Sequence, residues 1–225
     1  MADLLPLFPL GHTVLFPGVV LPLHVFEERY RELVRTLVEQ PEAAPRRFGV
    51  VAIRQGWEVG TDSAEALHEV GCAAELRRVT RYPDGRFDLV TVGTERFRLR
   101  EVDRESRPYL VGTVEWLPPD PPSADTGLAA AVGTLFAEYA AVAAALQGRQ
   151  LDAVELPAGP AELSHLVASA AVLTLEDRQA LLEASGAAAR LRAELRLLKR
   201  EITMVRRLRA LPVPVAELQV TQSLS

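Results

Sequence analysis

Hydrophobic and polar positions follow two periods along the chain, and the change of period divides it. Up to Trp116 the apolar residues recur mostly at every second position, the spacing of a half-buried strand. Arg96-Phe97-Arg98-Leu99-Arg100 alternates, which predicts Phe97 and Leu99 facing inward and three arginines facing water. Residues 109–116 alternate likewise, with Leu110, Val114 and Trp116 on one face, and residues 48–54 form another apolar strand. Pro83-Asp84-Gly85 separates strand-like runs at 73–82 and 86–92. Proline presets φ, aspartate tolerates the turn and glycine takes positive φ, so a hairpin is predicted. One helix interrupts over residues 26–40, with Phe26, Tyr30, Leu33, Val34 and Leu37 at helical spacing and Pro41 ending it. Many short, mostly antiparallel strands with one early helix predict a small, partly open barrel.

After Asp125 the period becomes helical. Leu128, Val132, Leu135, Tyr139, Val142 and Leu146 make one apolar stripe. A second helix is predicted over 161–173. Thr174 reads as the N-cap of a third, with Asp177 as the carboxylate of a capping-box-like pair. Gly186 breaks that helix, and a last helix over 187–211 keeps Leu191, Leu195, Leu198, Ile202 and Val205 at a/d spacing. Between the two regimes, Pro118-Pro119-Asp120-Pro121-Pro122-Ser123 can continue neither helix nor sheet. The predicted organisation is a β subdomain over 1–117, a proline-rich linker over 118–125, a helical bundle over 126–211 and a loosely ordered tail over 212–225. The fold class is therefore α+β.

Composition changes the picture in three places. The chain of 225 residues is long enough for one large domain or two small ones, with no apolar run of transmembrane length. The N-terminus lacks a basic region before its apolar residues, and its prolines break any apolar helix, so it reads as structure and not as a signal peptide. Cys72 is the single cysteine, which excludes an intramolecular disulfide and fits a cytoplasmic location. The net charge of −5 is unevenly spread. Residues 1–117 carry 15 basic and 18 acidic groups, net −3; residues 118–189 carry 2 and 9, net −7; residues 190–225 carry 8 and 3, net +5. The last helix is thus basic on an acidic body.

Several chemistries are excluded by their requirements. Asp125-Thr126-Gly127 matches an aspartic-protease triplet, but it follows a proline-rich stretch and opens a helix, where Asp125 or Thr126 reads as an N-cap. His68-Glu69-Val70-Gly71-Cys72 imitates a zinc motif that needs a helix, while Gly71 and its strand-like continuation oppose one, so Cys72 reads as buried and inert. His12, His24 and His165 are isolated, and the His24 ring is expected to bond a backbone carbonyl. No serine sits in a GxSxG elbow, no GxGxxG occurs, and the one lysine, Lys199, lacks a phosphate-cradling loop. No catalytic residue, metal ligand or cofactor is assigned.

The N-terminal segment carries a specific resemblance. Leu5-Pro6-Leu7-Phe8-Pro9-Leu10, Val14-Leu15-Phe16-Pro17-Gly18 and Leu21-Pro22-Leu23-His24-Val25-Phe26-Glu27-Glu28-Arg29-Tyr30 resemble the opening of the LON domain, the substrate-recognition domain of Lon proteases. Val70-Gly71-Cys72-Ala73-Ala74-Glu75, Pro83-Asp84-Gly85-Arg86, Val92-Gly93-Thr94-Glu95-Arg96-Phe97, Leu181-Leu182-Glu183 and Arg190-Leu191 follow in the family's order. The resemblance covers about residues 3–211 and implies a PUA-like pseudo-barrel followed by a helical bundle. It departs from the family at Ser185-Gly186, where an aspartate often starts the last helix. In Lon proteases this region helps recognise unfolded or tagged substrates, while an AAA+ motor and a Ser-Lys dyad do the work. The sequence shows neither, and it ends where the motor would begin.

The expected function is therefore non-enzymatic: a recognition module, monomeric or weakly dimeric, for unfolded polypeptide segments or a partner protein, with no membrane role. Trp57, between Gly56 and Gly60, and Tyr82, beside the hairpin turn, are the candidate contact residues, because aromatics supply large contact area. A bound peptide is also expected to have access to an open strand edge. The alternative is a nucleic-acid-binding PUA-like protein. It would use the basic face of the last helix (Arg190, Arg192, Arg196, Lys199, Arg200, Arg206, Arg207, Arg209), with Arg206, Arg207 and Arg209 the residues to neutralise.

Overall fold

The computed structural model describes residues 3–41, 44–55, 66–121, 126–148 and 155–208. The chain forms two compact units, Met1–Pro119 and Asp120–Ser225. The first unit contains strands β1 (Asp3–Leu10) and β2 (Val20–Val25), helix α1 (Glu28–Glu39), and strands β3 (Arg47–Gln55), β4 (Ala66–Leu67), β5 (Val70–Arg81), β6 (Phe87–Asp103) and β7 (Val111–Trp116). The second contains helices α2 (Thr126–Leu146), α3 (Pro160–Ala170), α4 (Leu175–Glu183) and α5 (Ala187–Leu208). The α+β fold expected from the pattern is the fold found.

The sheet runs β1-β7-β6-β5-β3-β4, and β1 also pairs with β3, so the strands from β1 to β3 close on themselves. The β1–β3 pair is parallel, and the other pairings are antiparallel. Strand β6 is long enough to serve three partners. Its first half lies between β2 and β5, and its second half between β5 and β7. Register shifts on β5 and near Leu99 bend this ladder around the barrel. Inside lie Leu5, Leu7, Phe97 and Val114, with Phe16 and Phe48 also fully buried. Helix α1 contributes Tyr30, Leu33, Val34 and Leu37, and Tyr30 stacks on Phe8 with ring centroids 4.2 Å apart. Each such side chain gains roughly 1.5–3 kcal/mol by leaving water.

Two sequence motifs distant along the chain meet at one corner. Phe16-Pro17-Gly18-Val19 is a tight turn: the Val19 N–H donates to the Phe16 carbonyl at 3.2 Å, and Gly18 takes φ +77°. The Gly18 N–H donates to the Gly93 carbonyl at 2.8 Å, and the Gly93 N–H to the Val19 carbonyl at 2.9 Å. Two residues thus oppose one, a bulge that requires glycine at its first position. A methyl group on Gly93 would collide with the Phe16 carbonyl. The Phe-Pro-Gly turn and the Val-Gly segment of β6 are therefore two halves of one joint.

The predicted hairpin is present. Tyr82 N–H donates to the Arg86 carbonyl and Gly85 N–H to the Tyr82 carbonyl, both at 2.9 Å, with Gly85 at φ +84°. Other details differ from the pattern. The first helix starts at Glu28, after Phe26, which is 53% exposed and not part of the core. Arg96 is buried, where β6 bulges opposite Cys72 and Ala74. The buried face of α2 runs through Ala129, Val132, Gly133, Phe136 and Tyr139, turned from the expected stripe, and Leu146 is exposed. Gly133 on that face lies against Leu163 of α3, a contact that a count of large apolar residues on α2 cannot register. By length and composition α2 could cross a membrane. Val132, Phe136 and Tyr139 are nonetheless buried within the chain, and Glu138 on the exposed side pairs with Arg206.

In the second unit, Thr174 accepts a hydrogen bond from the Asp177 N–H at 3.1 Å, the expected cap of α4. Leu191, Leu198, Ile202 and Val205 are buried along α5, while Leu195 is half-buried. Among them lies a polar cluster. Arg190, fully buried, donates to Ser164 Oγ at 2.7 Å and forms an ion pair with Asp120. Arg190 therefore does not belong to the basic outer face that its spacing implied. The side chain of Asp120, from the proline-rich stretch, is only 4% exposed within this pair.

Candidate recognition surface

The outer face of the β2–β6–β5 sheet holds the exposed aromatic residues together. Strand register sets which side chains share it. Val20 lies opposite Val92, Pro22 opposite Val90 and His24 opposite Asp88, while Asp88 lies opposite Thr80 of β5. Side chains alternate, so these positions share one face, while Phe87, Leu89 and Thr91 point into the barrel and are buried. Val20 is 57% exposed, and Pro22 and His24 are also exposed.

Asp88 organises the end of this face. Its Oδ1 lies 2.6 Å from His24 Nδ1, from a residue 64 positions away, and its Oδ2 accepts from the Tyr82 hydroxyl at 2.5 Å. The His24 ring lies 6.3 Å from both the Phe26 and the Tyr82 rings, stacked on the first and edge-on to the second. Arg86 holds Asp84 through its Nε at 2.7 Å and lies 5.9 Å from the Tyr82 ring. The Tyr82 hydroxyl and then His24 hold the Asp88 carboxyl below its usual range. Donation to Asp88 raises the Tyr82 phenol in turn. Hydroxyl and carboxylate thus stay in their bonding forms over a wide pH range. Two rings, His24 and Tyr82, are held at the surface by one carboxylate, and Phe26 stacks on the first, so little freedom of those two side chains remains to lose on contact. The His24 ring bonds this carboxylate, not the backbone carbonyl expected from sequence.

The free edge of β2 is blunted. The Gly93 to Val19 hydrogen bond sets the alternation, so Leu21, Leu23 and Val25 direct their backbone groups at β6, and Val20, Pro22 and His24 direct theirs outward. Proline therefore occupies the middle outward position, where an added strand would need an N–H. The face, and not the edge, is the accessible feature.

Of the residues singled out by sequence, Tyr82 is at this face, 36% exposed. Trp57 lies outside the described residues, as does Arg209. Arg206 is held by Glu138 at 2.7 Å and does not stand free for phosphate, whereas Arg207 is exposed. His24, Phe26 and Asp88 were missed as a group; only the alternation at 20–26 hinted that Phe26 continues the outward row. Cys72 is fully buried on β5, and burial pushes its thiol up to about 12, so it is no nucleophile or metal ligand at neutral pH.

A family model described as the ATP-dependent protease La (LON) substrate-binding domain matches residues 4–200. The chain belongs to the LON substrate-binding domain family. This LON domain is 30% identical over 203 residues to Lon protease 2 of Myxococcus xanthus, covering 88% of this chain and 24% of that protein. It is 30% identical over 200 residues to the Lon protease of Anaeromyxobacter dehalogenans, covering 88% and 23%. The LON domain thus spans about a quarter of the length of the curated relatives it matches. A solved Lon N-terminal domain protein from Xanthomonas campestris superposes with a TM-score of 0.62 at 27% identity, covering 88% of this chain and 98% of that one. The N-terminal domain of a Mycobacterium avium complex Lon protease shares the fold, with a TM-score of 0.58 at 18% identity.

Proposed function

We propose that this LON domain is a non-catalytic recognition module of the cytoplasm that binds unfolded polypeptide segments or a partner protein. The observation that carries the reading is the exposed ring cluster of His24, Phe26 and Tyr82, in which Asp88 holds His24 and Tyr82 and Phe26 stacks on His24. Exposed aromatics beside Val20 and Pro22 offer apolar contact area, and the charged groups around them offer hydrogen bonds at the rim. Binding through a face tolerates varied sequences, as recognition of unfolded chains requires. Four of the five a/d residues of α5, Leu191, Leu198, Ile202 and Val205, are buried within the chain, which supports a monomer or weak homodimer. One buried cysteine with no disulfide fits a reducing compartment.

The test is titration of reduced, alkylated lysozyme, a permanently unfolded polypeptide, into the wild-type protein and into F26A/Y82A at moderate salt. The double variant is expected to bind at least tenfold more weakly while melting within a few degrees of wild type. Undiminished affinity would reject this face. W57A, tested alongside, asks whether the second aromatic singled out by sequence adds to the same surface.

A further inference from the structure

The solvent side of α5 carries a row of cations that the fold leaves unpaired. Arg192, Arg196, Lys199 and Arg207 recur at helical spacing on the side opposite the buried Leu191, Leu198, Ile202 and Val205, and Thr203 fills the gap in the row. All four are exposed, and none of their side chains has a hydrogen-bond or ion-pair partner among the described residues. The cations beside the row are neutralised. Arg200 pairs with Asp177 of α4 at 2.6 Å, and Arg206 pairs with Glu138 of α2 at 2.7 Å. The helix therefore presents a positive rail one residue wide and about 22 Å long, counted at about 1.5 Å per residue, with carboxylates along both sides.

We infer that this rail on α5 is a docking site for an acidic polypeptide segment, a second surface distinct from the aromatic face. Charge complementarity chooses the occupant. A single row of four cations matches carboxylates spaced along a peptide, either extended or at helical spacing. Nucleic acid is the poorer occupant. A duplex presents two ridges of phosphate, and the flanking Asp177 and Glu138 carboxylates would face them. A single strand binds best where bases stack on aromatic rings, and α5 carries none. The chain's net charge of −5 also repels a dense polyanion more than a short acidic segment. Exposed cations steer association and lose their pull in salt, so the contact is expected to be fast and salt-sensitive.

The experiment uses the full chain and a fluorescein-labelled polyglutamate peptide long enough to span the rail, with polyglutamine, single-stranded RNA and duplex DNA of similar length as competitors. Binding is read by anisotropy at low and moderate salt, for wild type, R192Q/R196Q/K199Q/R207Q and R200Q/R206Q. The inference expects polyglutamate to bind in preference to every competitor. It also expects at least a tenfold loss in the quadruple variant, a smaller loss in R200Q/R206Q, and unchanged binding of alkylated lysozyme by the quadruple variant. Equal affinity of the quadruple variant and wild type for polyglutamate would overturn it. So would tighter binding of RNA or DNA than of polyglutamate at the same salt, which would give the rail to nucleic acid. Loss of lysozyme binding in F26A/Y82A alone bears on the aromatic face and leaves this result standing.

Discussion

Glu194 lies on the buried side of α5, one turn beyond Arg190, and neither of its carboxylate oxygens has a hydrogen-bond partner among the described residues. Burial pushes its carboxyl from an ordinary 4.5 up to about 8, against the attraction of Arg190. Below pH 4.5 the group is protonated in folded and unfolded chains alike, and the shift costs nothing. Between pH 4.5 and about 8 the unfolded chain ionises while the folded chain keeps its proton, so stability falls as pH rises; above about 8 the penalty is complete. E194Q removes the titration. Urea midpoints should match wild type near pH 5 and exceed it near pH 8, and an identical pH slope in both proteins would disprove the assignment. At this scale the sequence misled where burial decides. Arg96 and Arg190 sit in patterns that read as solvated faces, and only the packing of other segments shows that they are enclosed.

At the scale of elements, turn chemistry was legible because it is local. Pro83-Asp84-Gly85 and the Thr174 cap each require particular residues at particular positions, and each is where the residues predict it. Strand pairing across long separations was not legible, which is why the His24–Asp88–Tyr82 cluster escaped a reading of separate segments. Two expectations belong to this scale. The β2 edge is kept unpaired by Pro22, so P22T, which restores the missing outward N–H, should raise concentration-dependent association in sedimentation velocity; unaltered sedimentation would mean that the edge is blocked by something else. Asp120 and Arg190 form a buried pair joining the entry of the second unit to α3 and α5. D120A leaves a buried uncompensated cation and should cost about 3–5 kcal/mol of stability. D120A/R190M, which removes both charges, should recover much of that loss in urea unfolding, and strict additivity of the single variants would contradict the pairing.

At the scale of the whole molecule, the chain forms two compact units dividing after Pro119. Family membership makes the β unit and its helices a LON substrate-binding domain. The location of its contact surface is the central claim. Hydroxyl-radical footprinting with mass spectrometry reads it directly, because Phe26, Tyr82 and His24 are exposed, radical-reactive side chains gathered in one place, and exposed Met204 on α5, in the second unit, serves as the reference. With alkylated lysozyme bound, oxidation of Phe26, Tyr82 and His24 should fall several-fold while Met204 keeps its reactivity. Protection that spares the three rings, or that falls on Met204 instead, would contradict the account.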